Sequence, residues 1–244
     1  MQTCDVTVWE NCRIAKGVYR LVLTGPELLP QRPGGFVNLS LEGFFLRRPL
    51  SVCDSEQGRL TLIYKTVGRG TERLATLEKG TVLNLLAGLG NGYDLAPAGD
   101  CPVLLGGGAG VPPLYLLARQ LRARGLAVRA VLGFNTAEEV FGEEAFRKLG
   151  CEVTVTCVDG TAGCRGFVTD ALPAAYTYFY ACGPGPMLKA VYQKTVTSGQ
   201  FSLEERMGCG FGACMGCSVK TASGPKRICR EGPVFRKEEL LWDD

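Results

Sequence analysis

Hydrophobic and polar positions alternate in short bursts over the first 97 or so residues. The segments "CDVTVWENCRI", "VYRLVLT", "FVNLSL", "LSVCD" and "LTLIYK" are rich in Val, Leu, Ile, Thr and aromatics. Partial period-2 alternation of that kind predicts strands. Pro33-Gly34-Gly35, Gly43 and Gly58 punctuate them, as turn residues do. One helical stretch, "TERLATLEKG", interrupts the series and ends at Gly80. Several short strands with regular breaks predict a small antiparallel barrel over 1–97.

The pattern changes near Pro97. "CPVLLGGG" reads as a compact strand ending in glycines, and the helical "PPLYLLARQLRARG" follows it. Next come the strand "LAVRAVLGF", the helix "AEEVFGEEAFRKLG", the strand "CEVTVTCVDG" and a short helix around "FVTDALP". The strand "YTYFYACG" and the helix "PMLKAVYQKTVTSG" complete the run. Strands alternating with helices predict a doubly wound parallel sheet of the α/β class over 98–199. From 200 to 244 the chain is rich in Gly and Cys with little periodicity. A segment of that kind needs a metal or cluster to order it. The expected organisation is therefore a β-barrel domain, an α/β domain and a small C-terminal metal or cluster domain.

Composition removes several classes of function. The net charge of +3, from 27 basic and 24 acidic residues, is too even and too scattered to argue for nucleic acid or an anionic membrane. The N-terminus has no apolar core of a secretory signal. No run approaches the ~18 apolar residues of a membrane span. The expectation is a cytoplasmic protein. With no histidine in the chain, His bases, Cys/His zinc sites and Rieske-type ligation are excluded.

Four of the 12 cysteines crowd the C-terminal segment: Cys209, Cys214, Cys217 and Cys229, spaced C-x4-C-x2-C-x11-C. The first three match the plant-type [2Fe–2S] spacing. Gly208, Gly210, Gly212 and Gly216 interleave them, which lets backbone N–H groups approach sulfide. A Cys4 structural zinc site is the competing reading, although zinc sites normally pair two C-x2-C knuckles. Unrelated buried thiols are the blandest reading.

Other motifs are less specific singly. "RRPLSVCD" puts Arg48, Pro49, Leu50 and Ser51 at the start of a barrel strand, where arginine and hydroxyl can clamp a phosphate and a ring edge. An ordinary surface arginine is the default alternative. Gly68 and Gly70 make a Gly-x-Gly turn, with Thr71 as the expected N-cap of the next helix. Helix N-terminal amides bind pyrophosphate, but an ordinary capped helix fits as well. "LLGGGAGVPPL" has the strand–loop–helix context of a dinucleotide loop, with Val111 where a third glycine would stand. "ACGPGPM" ends a later strand at the carboxyl edge, where open α/β sheets bind ligands.

In this order, the motifs resemble those of the ferredoxin–NADP reductase superfamily. Within it, the chain is similar to the electron-transfer subunits of class B, NAD-dependent dihydroorotate dehydrogenases. The matching pieces are Arg47–Ser51, Gly68–Thr71, "AGLGNGY" at 87–93, Gly106–Pro112, Cys182–Pro184, Glu204–Cys217 and Cys229–Phe235. They span nearly the whole chain. One departure is Ala87-Gly88, where that family often has Gly-Pro.

The resemblance implies FAD on the barrel, NADH on the α/β domain, and a [2Fe–2S] cluster on Cys209, Cys214, Cys217 and Cys229. It implies that Arg48, Pro49, Leu50 and Ser51 hold the flavin, and that Ile63, Tyr64, Lys65, Gly70 and Thr71 line its ring and pyrophosphate. Gly106, Gly107, Gly108 and Gly110 take the NADH pyrophosphate. Cys182, Gly183 and Pro184 meet the nicotinamide. Cys182, the candidate catalytic residue, shapes stacking rather than acting as a nucleophile, and a small buried residue is its plain alternative. The implied partner is an FMN-containing catalytic subunit, two copies of each chain. The flavin then converts two-electron hydride into single electrons. The alternative is an NAD(P)H-dependent flavin/iron–sulfur reductase serving a ferredoxin, hydrogenase or sulfur-reducing partner. Glu138 and Glu139, with no basic residue beside them in "GFNTAEEV", favour NADH over NADPH.

Overall fold

A computed structural model describes residues 1–242; the last two positions of the 200–244 segment lie outside the described residues. The barrel consists of β1 (Gln2–Ala15), β2 (Val18–Thr24), β3 (Phe36–Leu39), β4 (Arg48–Glu56), β5 (Arg59–Lys65) and β6 (Val82–Leu89). Helix α1 (Arg69–Ala75) joins β5 to β6. The strands close in the order β1-β2-β5-β4-β3-β6, and every pairing is antiparallel. Closure leaves no free edge. Inward residues such as Val6, Val8, Leu21, Leu62 and Leu85 form the barrel core.

Strand β6 is absent from the sequence reading. Its side chains do alternate between barrel core and surface, but "VLNLLAGL" reads as one apolar run because the outward positions include Leu86. Of the outward residues, Leu86 packs against the apolar cluster shared with the C-terminal segment, while Val82 is exposed.

The α/β part contains β7 (Val103–Gly107), α2 (Pro113–Ala123), β8 (Arg129–Phe134), α3 (Glu143–Lys148), β9 (Glu152–Cys157), β10 (Cys164–Arg165), β11 (Phe179–Cys182), α4 (Gly185–Lys194) and β12 (Gly199–Ser202). In the remaining segment lie the hairpin β13 (Ser218–Thr221) and β14 (Gly224–Arg227), then β15 (Val234–Arg236). One sheet runs β10-β9-β8-β7-β11-β12-β15. All its pairs are parallel except β12–β15. The compositional change at residue 200 falls inside β12, and the cysteine-rich segment returns to the sheet as its edge strand.

Several helices are shorter than the sequence suggests: α1 ends at Ala75, well before Gly80, and α4 ends at Lys194, before "TVTSG". The stretch "AEEVFGEEAFRKLG" divides into a 3-10 turn at Ala137–Glu139 and α3, because Gly142 takes φ +82° between them. "FVTDALP" forms only a 3-10 turn, Val168–Asp170, since Pro173 cannot continue a helix. Among the described residues, no helix is long and apolar enough to cross a membrane.

Helix α2 fastens the two large parts together. Leu116 enters the barrel core, while Leu114, Leu117 and Leu121 face the sheet. Arg119 bridges to Asp54 at 3.0 Å and Glu56 at 2.8 Å on β4.

Candidate functional site

Parallel strands β7 and β11 are neighbours, with Gly106 paired to Cys182. Both therefore deliver their loops to the same carboxyl edge. The loops touch because Gly110 has no side chain: a Cβ there would stand 2.2 Å from the Cys182 carbonyl oxygen. Gly108 takes φ +50° with open space around it. Val111, in the third-glycine position, is buried in the α/β core, so it fills the strand–helix junction with packing.

Opposite these loops stands the start of β4. A cavity of about 180 Å³ is lined by Pro49, Leu50 and Ser51, by Gly107 and Gly110, and by Cys182, Gly183 and Pro184. Phe36, Ser202, Glu204 and Met207 complete its wall. Three motifs spread over more than a hundred residues of sequence thus share one cavity, which continues into the approach to the cysteine-rich loop.

Arg48 lies at one side of this cleft. Its Nη1 donates to the Leu46 carbonyl at 2.6 Å, and its guanidinium sits 4.6 Å from the Phe44 ring centroid, a cation–π contact. Its Nε also lies against bare Gly70, so cation and first turn of α1 adjoin. Thr71 is the third residue of α1, not its N-cap; the cap is Gly68. The Thr71 hydroxyl folds back, accepting the Val67 N–H at 2.9 Å and donating to the Gly68 carbonyl at 3.0 Å. It fixes the turn from inside.

Cys182 is half-buried, and burial raises its thiol pKa to about 12 against a weaker opposing hydrogen bond from Ser202. At neutral pH it is an uncharged thiol, suited to shaping a surface and unsuited to nucleophilic attack. Behind it the buried Tyr93 hydroxyl donates to the Ala181 carbonyl at 3.2 Å. Burial, then Glu205, raises the Glu204 carboxyl above its usual range.

Ile63, Tyr64 and Lys65 do not line that cavity. They border a narrow crevice with Gly108, Phe134 and Glu139, and Tyr64 is buried in the barrel core. Lys65 pairs with Glu139 at 2.7 Å, while Glu138 pairs with Lys16 at 2.7 Å. The acidic pair thus does acquire basic neighbours, supplied by the barrel where the local sequence shows none. The Lys65 hydrogen bond is the main cause holding the Glu139 carboxyl below its usual range. Beyond it opens a cavity of about 580 Å³ that includes Gly107, Gly108, Asn135, Thr156 and Met187. The Thr156 hydroxyl is buried there without a hydrogen-bond partner, which is costly unless a ligand satisfies it.

The C-terminal cysteines stand as two couples. Cys217 and Cys229 Sγ atoms are 3.3 Å apart and buried. Cys209 accepts hydrogen bonds from the Cys214 thiol and from the N–H groups of Phe211, Ala213 and Cys214. Burial raises the Cys209 pKa, but those donors outweigh it and bring it down to about 6. Burial and the neighbouring Cys217 push Cys229 up to about 12. Among the described residues, no three Cys, Asp or Glu side chains converge as a single metal ion requires. Two couples with inward amides suit a two-iron cluster, which takes two thiolates at each iron. Gly210, Gly212 and Met215 hold φ +74°, +97° and +60° to make this loop. Arg227 clasps it by donating to the Gly212 carbonyl and pairing with Glu231.

Phe36, Ser202 and Glu204 are cavity residues that the sequence does not single out. Of these only Glu204 carries a motif signal, within "EERMGCG"; Phe36 and Ser202 are ordinary strand residues until the chain folds.

Residues 204–241 match the iron–sulfur cluster binding domain of dihydroorotate dehydrogenase B. The chain is 40% identical over 257 residues to the dihydroorotate dehydrogenase B (NAD(+)) electron transfer subunit of Fusobacterium nucleatum, covering 98% of this chain and 99% of that one. It is 44% identical over 251 residues to the subunit of the same name from Bacillus caldolyticus, covering 97% of each. Among solved structures, a chain of NADH-dependent reduced ferredoxin-NADP oxidoreductase superposes with a TM-score of 0.87 at 30% identity, covering 97% of this chain and 90% of that one. Phthalate dioxygenase reductase shares the fold, with a TM-score of 0.67 at 19% identity over 91% of this chain and 87% of the other. Near-complete coverage at this level of identity, together with barrel, nucleotide sheet and cysteine loop in the same order, establishes that the chain belongs to the electron transfer subunits of dihydroorotate dehydrogenase B (NAD(+)).

Proposed function

We propose that this subunit passes electrons between NAD(H) and an FMN-containing catalytic subunit that interconverts dihydroorotate and orotate in pyrimidine biosynthesis. Its cofactors are FAD and a [2Fe–2S] cluster, with NAD(H) as the exchanging dinucleotide. The observation that carries the reading is the single cavity shared by Ser51, Gly110, Cys182 and Met207, which adjoins the cysteine loop.

In this reading residues 1–97 carry FAD, 98–199 carry NAD(H) and 200–244 carry the cluster. Arg48, Ser51, Gly70 and Thr71 hold the flavin, with Pro49 and Leu50 flanking its ring. Gly106, Gly107, Gly108 and Gly110 cradle the dinucleotide pyrophosphate, their bare backbone letting it approach closely. Asn135, Thr156 and Glu139 receive its adenosine end, beside the Lys65 ion pair. Cys182, Gly183 and Pro184 set the stacking distance between the rings, which hydride transfer requires. Cys209, Cys214, Cys217 and Cys229 ligate the cluster. A bound flavin supplies the conversion between two-electron and one-electron steps.

The exposed Phe211 and Met215 beside Cys214 form the docking face for the catalytic subunit, in a cytoplasmic complex of two copies of each chain. Anaerobic protein should show flavin bands with a broad iron–sulfur shoulder, both bleached by NADH. Flavin bands without the shoulder would remove the cluster and leave a simple flavin reductase. Turnover of dihydroorotate by this chain alone would overturn the division of labour between subunits.

A further inference from the structure

Strand β3 separates the barrel core from the cysteine-rich segment. Val37 and Leu39 point into the barrel core, so alternation sends Phe36 and Asn38 to the opposite face. There Phe36 joins the apolar cluster that contains Cys217, Ile228 and Cys229. Asn38, only 2% exposed, meets the other half of the cysteine loop. A Cβ on Gly210 would stand 2.0 Å from Asn38 Nδ2. The carboxamide therefore lies against bare backbone immediately after Cys209. Gly210 also holds φ +74°, so glycine is required there by both space and conformation.

The asparagine is held firmly. Its main-chain carbonyl accepts from Arg47 Nη1 at 3.3 Å, and the same nitrogen donates to the Asn84 main-chain carbonyl at 3.2 Å. Across the ladder it faces Pro49 of β4 on one side and Leu86 of β6 on the other. Its Oδ1 is buried with no hydrogen-bond partner. Leaving such an atom unsatisfied costs about 1–3 kcal/mol, and an apolar side chain of the same shape avoids that cost. A buried polar group kept under these conditions calls for an explanation beyond packing.

We propose that Asn38 is a positioning residue for the cluster: its carboxamide seats the Cys209–Gly210 turn and presents its N–H end to the cluster loop, favouring the reduced cluster. The proposal rests on the reading that the four cysteines hold a [2Fe–2S] cluster. Reduction adds one negative charge to the cluster, with the electron coming from the flavin. Hydrogen-bond donors and dipoles near the sulfurs set cluster potentials, and a dry site strengthens their effect. Asn38 stands between the strand bearing Pro49, Leu50 and Ser51 and the first cysteine, so it acts where the electron leaves the flavin side.

The test is an anaerobic redox titration of the holoprotein, following the cluster by electron paramagnetic resonance and the flavin by absorbance. Asn38→Leu keeps the branched shape with some added bulk and removes the donor; Asn38→Ser shortens the side chain so that its hydroxyl no longer reaches Gly210. In either variant the electron partition should move about tenfold from cluster to flavin, equivalent to about 59 mV for a one-electron couple. The flavin potential should stay in place. Should Asn38→Leu fail to retain iron, Asn38→Ser reads the same shift without an added bulk. An unchanged cluster potential in an iron-bearing variant overturns the proposal and leaves the cluster reading intact. Loss of iron from both variants, with flavin retained, would reduce Asn38 to a packing residue and also overturn it. Wild-type protein lacking iron and a reduced-cluster signal would instead sink the cluster reading itself.

Discussion

Arg48 and Gly70 are in contact across the gap between β4 and α1: a Cβ on Gly70 would stand 2.0 Å from Arg48 Nε. The missing side chain is what allows the guanidinium to lie beside the first turn of the helix. Gly70→Ala should displace Arg48 and weaken FAD binding about 10- to 100-fold, the range of a lost charge-assisted hydrogen bond of about 1.5–3 kcal/mol. The ratio of flavin absorbance to protein in gel-filtered samples measures this, and full flavin occupancy would refute it.

Cys182 should act without ionising. Its thiol is raised to about 12 by burial, so no thiolate forms over the neutral range. Cys182→Ala should lower the rate of NADH oxidation with artificial acceptors by about 10-fold through poorer ring positioning. The ratio of wild-type to variant rates should stay flat from about pH 6 to about pH 9. A ratio that changes across that range would assign Cys182 a proton-dependent role.

Lys65 and Glu139 join barrel to nucleotide sheet through a partly exposed pair at 2.7 Å. Such pairs contribute about 0–1 kcal/mol to stability. Glu139→Ala should therefore shift the thermal midpoint by no more than a few degrees. It should raise KM for NADH several-fold, because the carboxylate borders the cavity assigned to adenosine. Equal KM values in variant and wild type would remove Glu139 from that site.

Glu231 supplies the pH dependence of the cysteine loop. Its hydrogen bond to Arg227 is the main cause lowering its carboxyl from the model-peptide range near 4.5 to about 2. A folded-state pKa below the unfolded one means stabilisation that is complete above about pH 4.5 and disappears as the pH falls toward about 2. Glu231→Gln should release iron faster than wild type at neutral pH, and the two rates should converge through that acid window. Iron release followed by chelator absorbance decides the matter; rates that already coincide at neutral pH would exclude the clasp.

Legibility of the fold followed local physics. The alternating strands β1, β2 and β5 and the strand–loop–helix units of the sheet could be read directly, because each signals its own period. Strand β6 could not, since its outward positions include the apolar Val82 and Leu86 and the alternation is masked in the sequence. The return of the chain to the sheet as β15 was equally invisible: three residues after a cis Gly232-Pro233 bond carry too little pattern. The motif loops were readable as glycine-rich ends of strands. Their meeting in one cavity depends on the β7–β11 pairing, and the Lys65–Glu139 and Asn38–Gly210 contacts join residues 74 and 172 positions apart, beyond any local signal.

The pairing of β15 with β12 bears on how the holoprotein is assembled. Leu203 N–H donates to the Pro233 carbonyl at 2.9 Å, and Asn91 holds both the N–H and the carbonyl of Val234. The cysteine-bearing stretch is consequently an excursion whose two ends are stitched into the sheet by hydrogen bonds that involve no cysteine. Depleted protein should keep that sheet and slacken only inside the stitches, leaving a folded receptacle into which iron and sulfide can be inserted, removed and inserted again.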